Sequence, residues 1–269
     1  MSYPQYEYAR LRTGAVREQK AMIKISVFLL YVLLLMLSEF SAAAEEQKET
    51  EVEVANSTSS WKYHVRISKL EKQFSTSNDD KYGEWAGFIT VGKDHNMLWL
   101  TTKGSTQHSE TDAAEIRFFY SRTIRPYLGV QLGLKRDLKP EPERDWLGFG
   151  LLGVMPYKIG VDASFFVGQS SRTAASLEIA YKHWFTKKLS LTTDLDANFY
   201  GEDDPERGIG SGLSDLDLGL RLRYRVVKGV EPYTGITWKG NFGKTAGMIE
   251  RMGEDPDDLR IMLGVSLGY

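Results

Sequence analysis

Few side chains in this sequence could bind a soft metal ion, and they are scattered along the chain. Cysteine is absent, which excludes disulfides, thiolate nucleophiles and cysteine-ligated zinc. His64, Met97 and Met262 lie on the same predicted face of three different strands. Imidazole and thioether groups suit copper, and thioethers favour Cu(I), so these three residues are the predicted metal ligands. A methionine that only fills a packing gap is the alternative at each methionine position.

Charged side chains of both signs recur on that same predicted face. The set comprises Glu115, Arg117, Glu178, Asp194, Asp196, Asp215, Asp217, Arg221, Arg223 and Arg225. Because an unpaired buried charge is very costly, these groups should pair across strands. The three arginines are expected to face Asp194 and Asp196 of the preceding strand, either as a neutral ladder or as a charge filter.

Two kinds of catalytic motif are missing from the sequence. It has no H-E-x-x-H and no phosphate-binding glycine loop. The acidic segment 201–206 could bind calcium, but an ordinary solvated turn is favoured because the spacing does not fit an EF-hand. The formal net charge of −2 gives no basic excess, so no nucleic-acid partner is predicted. The chain is predicted not to be an enzyme.

The N-terminal region has the pattern of an export signal. Residues 25–37 are almost wholly apolar, Lys24 precedes them and Ala42-Ala43-Ala44 follows. This stretch is shorter than the roughly 20 residues of a transmembrane helix, which favours a cleaved signal peptide over residues 1–44 instead of a membrane anchor. Met22 would be a more typical start. Residues 45–60 are polar and without period, which predicts a flexible tether.

From Trp61 onward, apolar and polar residues alternate with a period of two. Leu216, Leu218 and Leu220, for example, alternate with Asp215 and Asp217. Twelve strands are predicted, with ten as the alternative, near 61–71, 84–91, 96–103, 111–121, 125–136, 145–155, 159–167, 173–184, 189–200, 213–226, 230–239 and 259–269.

This pattern predicts a closed antiparallel transmembrane β-barrel over 61–269, in an all-β chain. Alternation alone also fits a soluble sheet with one wet face. Short connections alternate with longer ones, and aromatic residues fall near strand ends, as in outer-membrane barrels. The C-terminal strand, with Leu267 and Tyr269, resembles the signal that the barrel-assembly machinery of Gram-negative bacteria recognises. The expected location is the outer membrane, with outer-membrane lipid and that machinery as partners.

Several segments in order resemble the copper resistance protein B family. They are 119–122 (FYSR), 133–137 (GLKRD), 145–148 (DWLG), 153–157 (GVMPY), 201–214 (GEDDPERGIGSGLS), 219–224 (GLRLRY), 231–235 (EPYTG) and 242–246 (FGKTA). The resemblance covers about 61–269. It implies an outer-membrane barrel that binds or exports copper in copper resistance, beside a periplasmic multicopper oxidase.

The chain departs from the family before the barrel. Members usually carry a Met- and His-rich segment there, whereas residues 45–60 contain neither residue. Copper binding, efflux and tolerance is the first functional hypothesis. A small structural or weakly pore-forming barrel without a metal role is the second. An outer-membrane hydrolase is the third, although Ser176 and His183 of one predicted strand fall on opposite faces by number.

Overall fold

The computed structural model describes residues 61–108 and 110–268. The predicted signal peptide, the tether and Tyr269 lie outside these ranges. The strands are β1 (Lys62–Ser75), β2 (Lys81–Lys93), β3 (Asn96–Gln107), β4 (Glu110–Arg125), β5 (Leu128–Lys139), β6 (Arg144–Met155), β7 (Ile159–Gly168), β8 (Thr173–Trp184), β9 (Leu189–Tyr200), β10 (Gly212–Tyr224), β11 (Val230–Asn241) and β12 (Asp257–Gly268). Within the same ranges, the one α-helix is α1 (Gly243–Arg251).

The twelve strands form one closed barrel. Each strand pairs antiparallel with its neighbours in sequence, and β1 pairs with β12 to close the sheet. Closure leaves no strand edge unpaired, which a sheet in lipid requires. The predicted fold and the higher of the two predicted strand numbers are confirmed.

The barrel is apolar outside and mostly polar inside. Leu132, Leu134 and Leu263 on the outer face are 55%, 60% and 56% exposed. The alternate positions turn inward, because successive side chains of a strand point to opposite faces. No helix in residues 61–108 and 110–268 is long and apolar enough to cross a membrane.

One part of the interior is apolar. Phe119, Trp146, Phe166 and Ala174 form a buried cluster inside the barrel, and the rings of Phe119 and Phe166 meet edge to face at 6.4 Å. These rings occupy the space that a side chain at Gly148 would need. Polar and apolar residues alternate poorly along β6 because glycine occupies inward positions such as Gly148.

A β-bulge in β1 reverses which residue numbers face inward. The pairing of β1 with β2 shifts between Ile67 and Lys69, so Ser68 is an extra residue. Before the bulge, Tyr63 and Val65 are exposed apolar residues of the outer face. After it, Glu71 is buried. A bulge of one residue has this effect because the side-chain period is two.

The two ends of the barrel differ in their connections. At one end, here called the short-turn end, all connections have two to five residues. The other end, the long-loop end, carries the two longest connections, 201–211 and 242–256. Short turns of outer-membrane barrels face the periplasm. The connection 242–256 contains helix α1.

Candidate functional site: the barrel lumen and its outer lid

The long-loop end is covered by what we call the outer lid, formed by loop 201–211 and helix α1. The hydroxyl of Thr245 in α1 accepts a hydrogen bond from the Gly210 amide at 2.8 Å and lies 3.0 Å from the Ser214 hydroxyl. Lys244 donates to Asp203 at 2.7 Å. This bond, helped by the Ser211 amide, lowers the pKa of Asp203 to about 2. The loop and the helix are therefore fastened to each other.

Arg207 anchors the lid in the opposite barrel wall. Its side chain is only 3% exposed and donates to Asp137 at 2.9 Å and to the Pro140 carbonyl at 3.1 Å. Asp137 lies at the end of β5, whereas loop 201–211 joins β9 to β10. Trp146 also donates to Asp137, at 2.9 Å. The lid therefore spans the mouth and ends in a buried ion pair.

A second ion pair holds the same loop. Arg144 at the start of β6 donates to both oxygens of Asp204, at 3.0 and 3.2 Å, and to Glu206 at 3.0 Å. Asp204 is buried. A two-pronged guanidinium–carboxylate contact fixes both distance and orientation, so the acidic segment is a structured part of the lid.

Below the lid, a central plug of Arg221, Glu71 and Asp194 occupies the lumen. Arg221 is fully buried and donates to both Glu71 oxygens, at 3.0 and 2.9 Å, and to Asp194. Tyr233 and Gln73 donate to the same Glu71 carboxylate at 2.8 and 2.7 Å. Four of these hydrogen bonds tie β1, β9, β10 and β11 together across the interior, and the bond from Gln73 lies within β1.

Two glycines make room for the plug. A side chain at Gly219 would collide with the Arg221 guanidinium and with Asp194, and one at Gly264 would collide with Tyr233 and Glu71. Glycine therefore stands opposite bulky charged groups because the narrow lumen cannot hold both.

A side cluster of five charges lies on the adjoining part of the wall: Lys103, Glu115, Arg117, Lys135 and Glu178. Lys103 and Arg117 donate to Glu178 at 3.0 and 3.1 Å. Glu115 lies 2.7 Å from Arg117 and 3.1 Å from Lys135. Three cations surround two carboxylates, so the cluster is held together by opposite charge.

A row of carboxylates crosses four neighbouring strands. The strand registers place Asp162 opposite Glu178, Glu178 opposite Asp196, and Asp196 opposite Asp217. Like charges directly opposite each other destabilise a sheet. Cations from other strands compensate: Lys69 lies 3.7 Å from Asp196 and Lys239 lies 3.1 Å from Asp217. We call these four residues the carboxylate row.

A cavity of about 220 Å³ lies beside the row and the side cluster. Lys103, Arg117, Glu178 and Asp162 line it together with Trp99. Trp99 and Asp162 stand near the short-turn ends of β3 and β7. The cavity therefore occupies the short-turn half of the lumen, on the opposite side of the mid-barrel charges from the lid.

The remaining predicted lumen charges have other partners than those expected. Asp215 accepts a hydrogen bond from Asn198 at 2.8 Å. Arg223 stacks on the Tyr233 ring at 4.4 Å, and Arg225 donates to Glu231 at 3.1 Å. Of the three arginines expected to face the aspartates of β9, Arg221 contacts Asp194.

Of the three predicted metal ligands, Met262 lies at a different height from the other two. His64 pairs with Thr90 and Met97 with Gly92, both near the short-turn end. Met262 is fully buried and pairs with Gln73. Gln73 is nine residues beyond His64 on β1, about 30 Å along a strand. In the described ranges, no three His, Cys, Asp or Glu side chains come close enough to hold a metal ion.

Sequence reasoning missed Glu71, Lys69 and Glu84. Lys69 and Lys239 both bind Glu84, at 3.1 and 2.8 Å. Before the bulge at Ser68, the even-numbered residues of β1 face inward, as His64 does. After the bulge, the odd-numbered residues face inward, which includes Lys69 and Glu71. The predicted second strand began at Glu84, which left that residue at a strand end. A bulge has no sequence signal strong enough to have corrected this.

Leu267, Ser176 and His183 are the remaining residues that the sequence analysis singled out. Leu267 pairs with Ile67 and Val230 where the barrel closes. Ser176 and His183 lie seven residues apart on β8, about 23 Å along the strand, so these two do not form a Ser–His pair. Ser176 is buried, and the His183 ring packs at 4.8 Å from the ring of Phe185.

Comparisons with known proteins agree with this architecture. A family model described as copper resistance protein B precursor matches residues 61–269. A copper resistance protein B homolog of Pseudomonas syringae pv. tomato is 35% identical over 201 residues, which cover 75% of this chain and 68% of the relative. Copper resistance protein B of Escherichia coli is 31% identical over 207 residues, covering 77% and 69%.

A solved structure has a similar fold. The NanC porin superposes with a TM-score of 0.52 at 8% sequence identity, covering 76% of this chain and 98% of the porin. At that identity the likeness concerns the barrel architecture alone.

Proposed function

We propose that this chain, which belongs to the copper resistance protein B family and is an outer-membrane β-barrel, acts in copper tolerance by binding copper ions in its lumen and passing them across the membrane. The family match extends over the whole barrel, from residue 61 to residue 269. The matched residues therefore include all twelve strands whose side chains line the lumen.

The carboxylate row supports a cationic cargo. The strand registers place the carboxylates of Asp162, Glu178, Asp196 and Asp217 opposite one another in consecutive pairs, which gives the wall oxygen donors of negative charge. Sites with nitrogen and oxygen ligands bind Cu²⁺ more tightly than the other divalent ions of its series. An incoming Cu²⁺ would displace the ammonium groups of Lys69 and Lys239. His64, Met97 and Met262 are proposed as further ligands, the methionines for Cu(I).

A gated route is favoured over a permanently open pore. Arg221 is fully buried in the plug, and Arg207 holds the lid shut. Copper passage therefore requires the lid to open and the plug to exchange partners. A structural barrel without a metal role is the alternative, and the ion-paired plug around Arg221 is the observation that favours it over a porin-like channel. We propose a non-enzymatic role in either case.

Two partners follow from this function. We propose that the barrel-assembly machinery recognises the C-terminal strand with Leu267 and Tyr269. A periplasmic multicopper oxidase is the proposed source or acceptor of copper at the short-turn end.

Copper binding by the refolded barrel, residues 45–269, tests the function. Cu(I) and Cu(II) are titrated separately against a competing chelator. We expect saturable Cu(II) binding that weakens at least tenfold in D196N, because that change removes the central carboxylate charge of the row. We expect weaker Cu(I) binding in M97L and M262L. Met155, 58% exposed on strand β6, provides the matched control M155L, which should bind like the wild type.

Each outcome separates the hypotheses. Copper binding that D196N, M97L and M262L all leave unchanged would support a copper site but reject these three residues as its ligands. Binding no stronger than that of an unrelated refolded barrel would contradict the proposed lumen site. In cells, deletion of the gene should raise copper sensitivity, and unchanged tolerance and periplasmic copper would reject the role in copper tolerance.

A further inference from the structure

The two ends of the barrel carry opposite charge. Connections at the long-loop end contain eleven acidic residues, Asp79, Asp80, Glu141, Glu143, Glu202, Asp203, Asp204, Glu206, Glu250, Glu254 and Asp255, against four basic ones, Arg172, Arg207, Lys244 and Arg251. Connections at the short-turn end contain Asp94 against Lys158, Lys187, Lys188, Arg225 and Lys228. Neither the copper ligands nor the lid accounts for the basic end.

The basic residues form a ring that includes every short turn. Strand ends add Lys93, Arg122 and Arg125 to the five basic residues of the turns, so each of the five turns carries or adjoins at least one. Arg225 is paired with Glu231. Across the described ranges, the other seven are exposed and make no ion pair within 4 Å. We call these seven residues the basic rim.

Exposed aromatic residues stand on the same turns. Tyr127 and Tyr157 are 78% and 43% exposed, and Phe185 and Tyr224 are 51% and 49% exposed. The backbones of Tyr127 and Tyr157 have φ of +76° and +67°, a left-handed conformation that a bulky residue adopts only at a cost. Both tyrosines are thus held at turn tips, at the level of the basic rim.

We propose that the basic rim binds the headgroups of anionic phospholipids in the membrane leaflet at the short-turn end. Lysine and arginine at the membrane surface attract anionic lipids, and tyrosine and tryptophan lie at headgroup level. A lipid leaflet surrounds the barrel on all sides, which matches a ring present on every turn. An acidic protein partner would instead require a compact patch. This inference is independent of the proposed copper function.

Lipid selectivity of the refolded barrel tests the proposal. The mature chain is reconstituted in phosphatidylcholine vesicles that contain spin-labelled phosphatidylglycerol or spin-labelled phosphatidylcholine, and the fraction of motionally restricted label is measured at low and high salt. We expect a several-fold preference for phosphatidylglycerol at low salt that weakens at high salt, because headgroup attraction at a surface is screened by ions.

Matched triple variants locate the effect. K158Q with K188Q and K228Q neutralises the basic rim on three turns. K72Q with K81Q and R251Q neutralises three exposed basic residues at or towards the other end. We expect the first variant to lose most of the preference and the second to keep it. Heat-modifiable mobility on gels checks that both are folded.

Three results would overturn the proposal. They are equal association of both lipids with the wild type, a preference that high salt leaves unchanged, and an equal loss of preference in the two triple variants. The salt dependence of the wild type keeps the test valid if a variant fails to fold. Equal association of both lipids would leave a soluble acidic partner as the explanation for the basic rim.

Discussion

At the scale of single residues, Arg221 is a lumen charge whose partners all lie inside the barrel. It is fully buried, donates to Glu71 and Asp194, and shares the Glu71 carboxylate with Tyr233 and Gln73. A buried ion pair need not stabilise a protein more than an apolar pair, but removal of one partner leaves the other charge uncompensated.

We therefore expect R221M to lower the free energy of unfolding by about 3–5 kcal/mol. Urea unfolding in vesicles, followed by tryptophan fluorescence, measures the change. Arg136 is the matched control because it forms an exposed pair with Asp145 at 2.5 Å, and exposed pairs contribute little. Equal effects of R221M and R136M would contradict the assignment of the plug.

Asp203 gives a pH-dependent contact outside the membrane. Its hydrogen bond from Lys244 lowers its pKa from 3.8 to about 2. Because the folded pKa lies below the ordinary value, the contact contributes to stability above pH 4 and loses that contribution as the pH falls towards 2. NMR titration of the Asp203 carboxyl should show this, and K244M should raise the pKa towards 3.8. An unchanged pKa in K244M would reject the contact as the cause.

At the scale of elements, the bulge in β1 and the anchored lid decide how the lumen is closed. The bulge turns Lys69 and Glu71 inward, and the lid reaches from β9 and β10 to Asp137 at the end of β5. The resulting contacts, Glu71 with Arg221 and Arg207 with Asp137, join parts of the barrel that are not neighbouring strands. They place side chains across the lumen, which the hydrogen bonds between neighbouring strands do not.

Loss of the Arg207 anchor should release the lid. We expect R207A to increase cleavage of loop 201–211 by a glutamate-specific protease several-fold, at Glu202 and Glu206, because the loop loses its buried ion pair and two carbonyl contacts. Mass spectrometry identifies the cut. R251A, an exposed arginine of α1, is the control. Equal cleavage rates in both variants would show that Arg207 does not hold the lid.

At the scale of the whole molecule, the lid and the plug are two seals in series, one at the long-loop mouth and one at mid-barrel. The cavity of about 220 Å³ lies on the short-turn side. The charges of the two ends also differ in sign, acidic around the lid and basic around the short turns. A cation that enters at the long-loop end therefore meets acidic connections, and one that enters at the short-turn end meets basic ones.

Two seals in series predict a low conductance that rises only when both are removed. We expect the wild type, R207A and R221M to conduct weakly in planar bilayers and the double variant R207A/R221M to conduct clearly more, because an ion must pass both barriers. R136A/R251A serves as the control with two exposed arginines changed. A wild type as conductive as a general porin would contradict the sealed lumen.

The sequence alone determined the barrel and the inward residues of most strands. A strand in a membrane barrel contacts lipid on one face and the lumen on the other, so alternation such as Leu216–Leu218–Leu220 against Asp215–Asp217 is a local property of the chain. The short turns follow from it, whereas it left twelve or ten strands open and the structure has twelve. The resemblance to copper resistance protein B also rests on local segments, and the family match confirmed it.

Only the tertiary structure decided which charges meet. Glu71 and Arg221 are 150 residues apart in sequence, and their contact depends on the one-residue bulge at Ser68 and on the closure of β1 against β12. Arg207 likewise reaches Asp137 because a long loop folds across the mouth. Such pairings depend on the register summed over many strands, and a shift of one residue reverses the inward face, so the local pattern of any one strand cannot specify them.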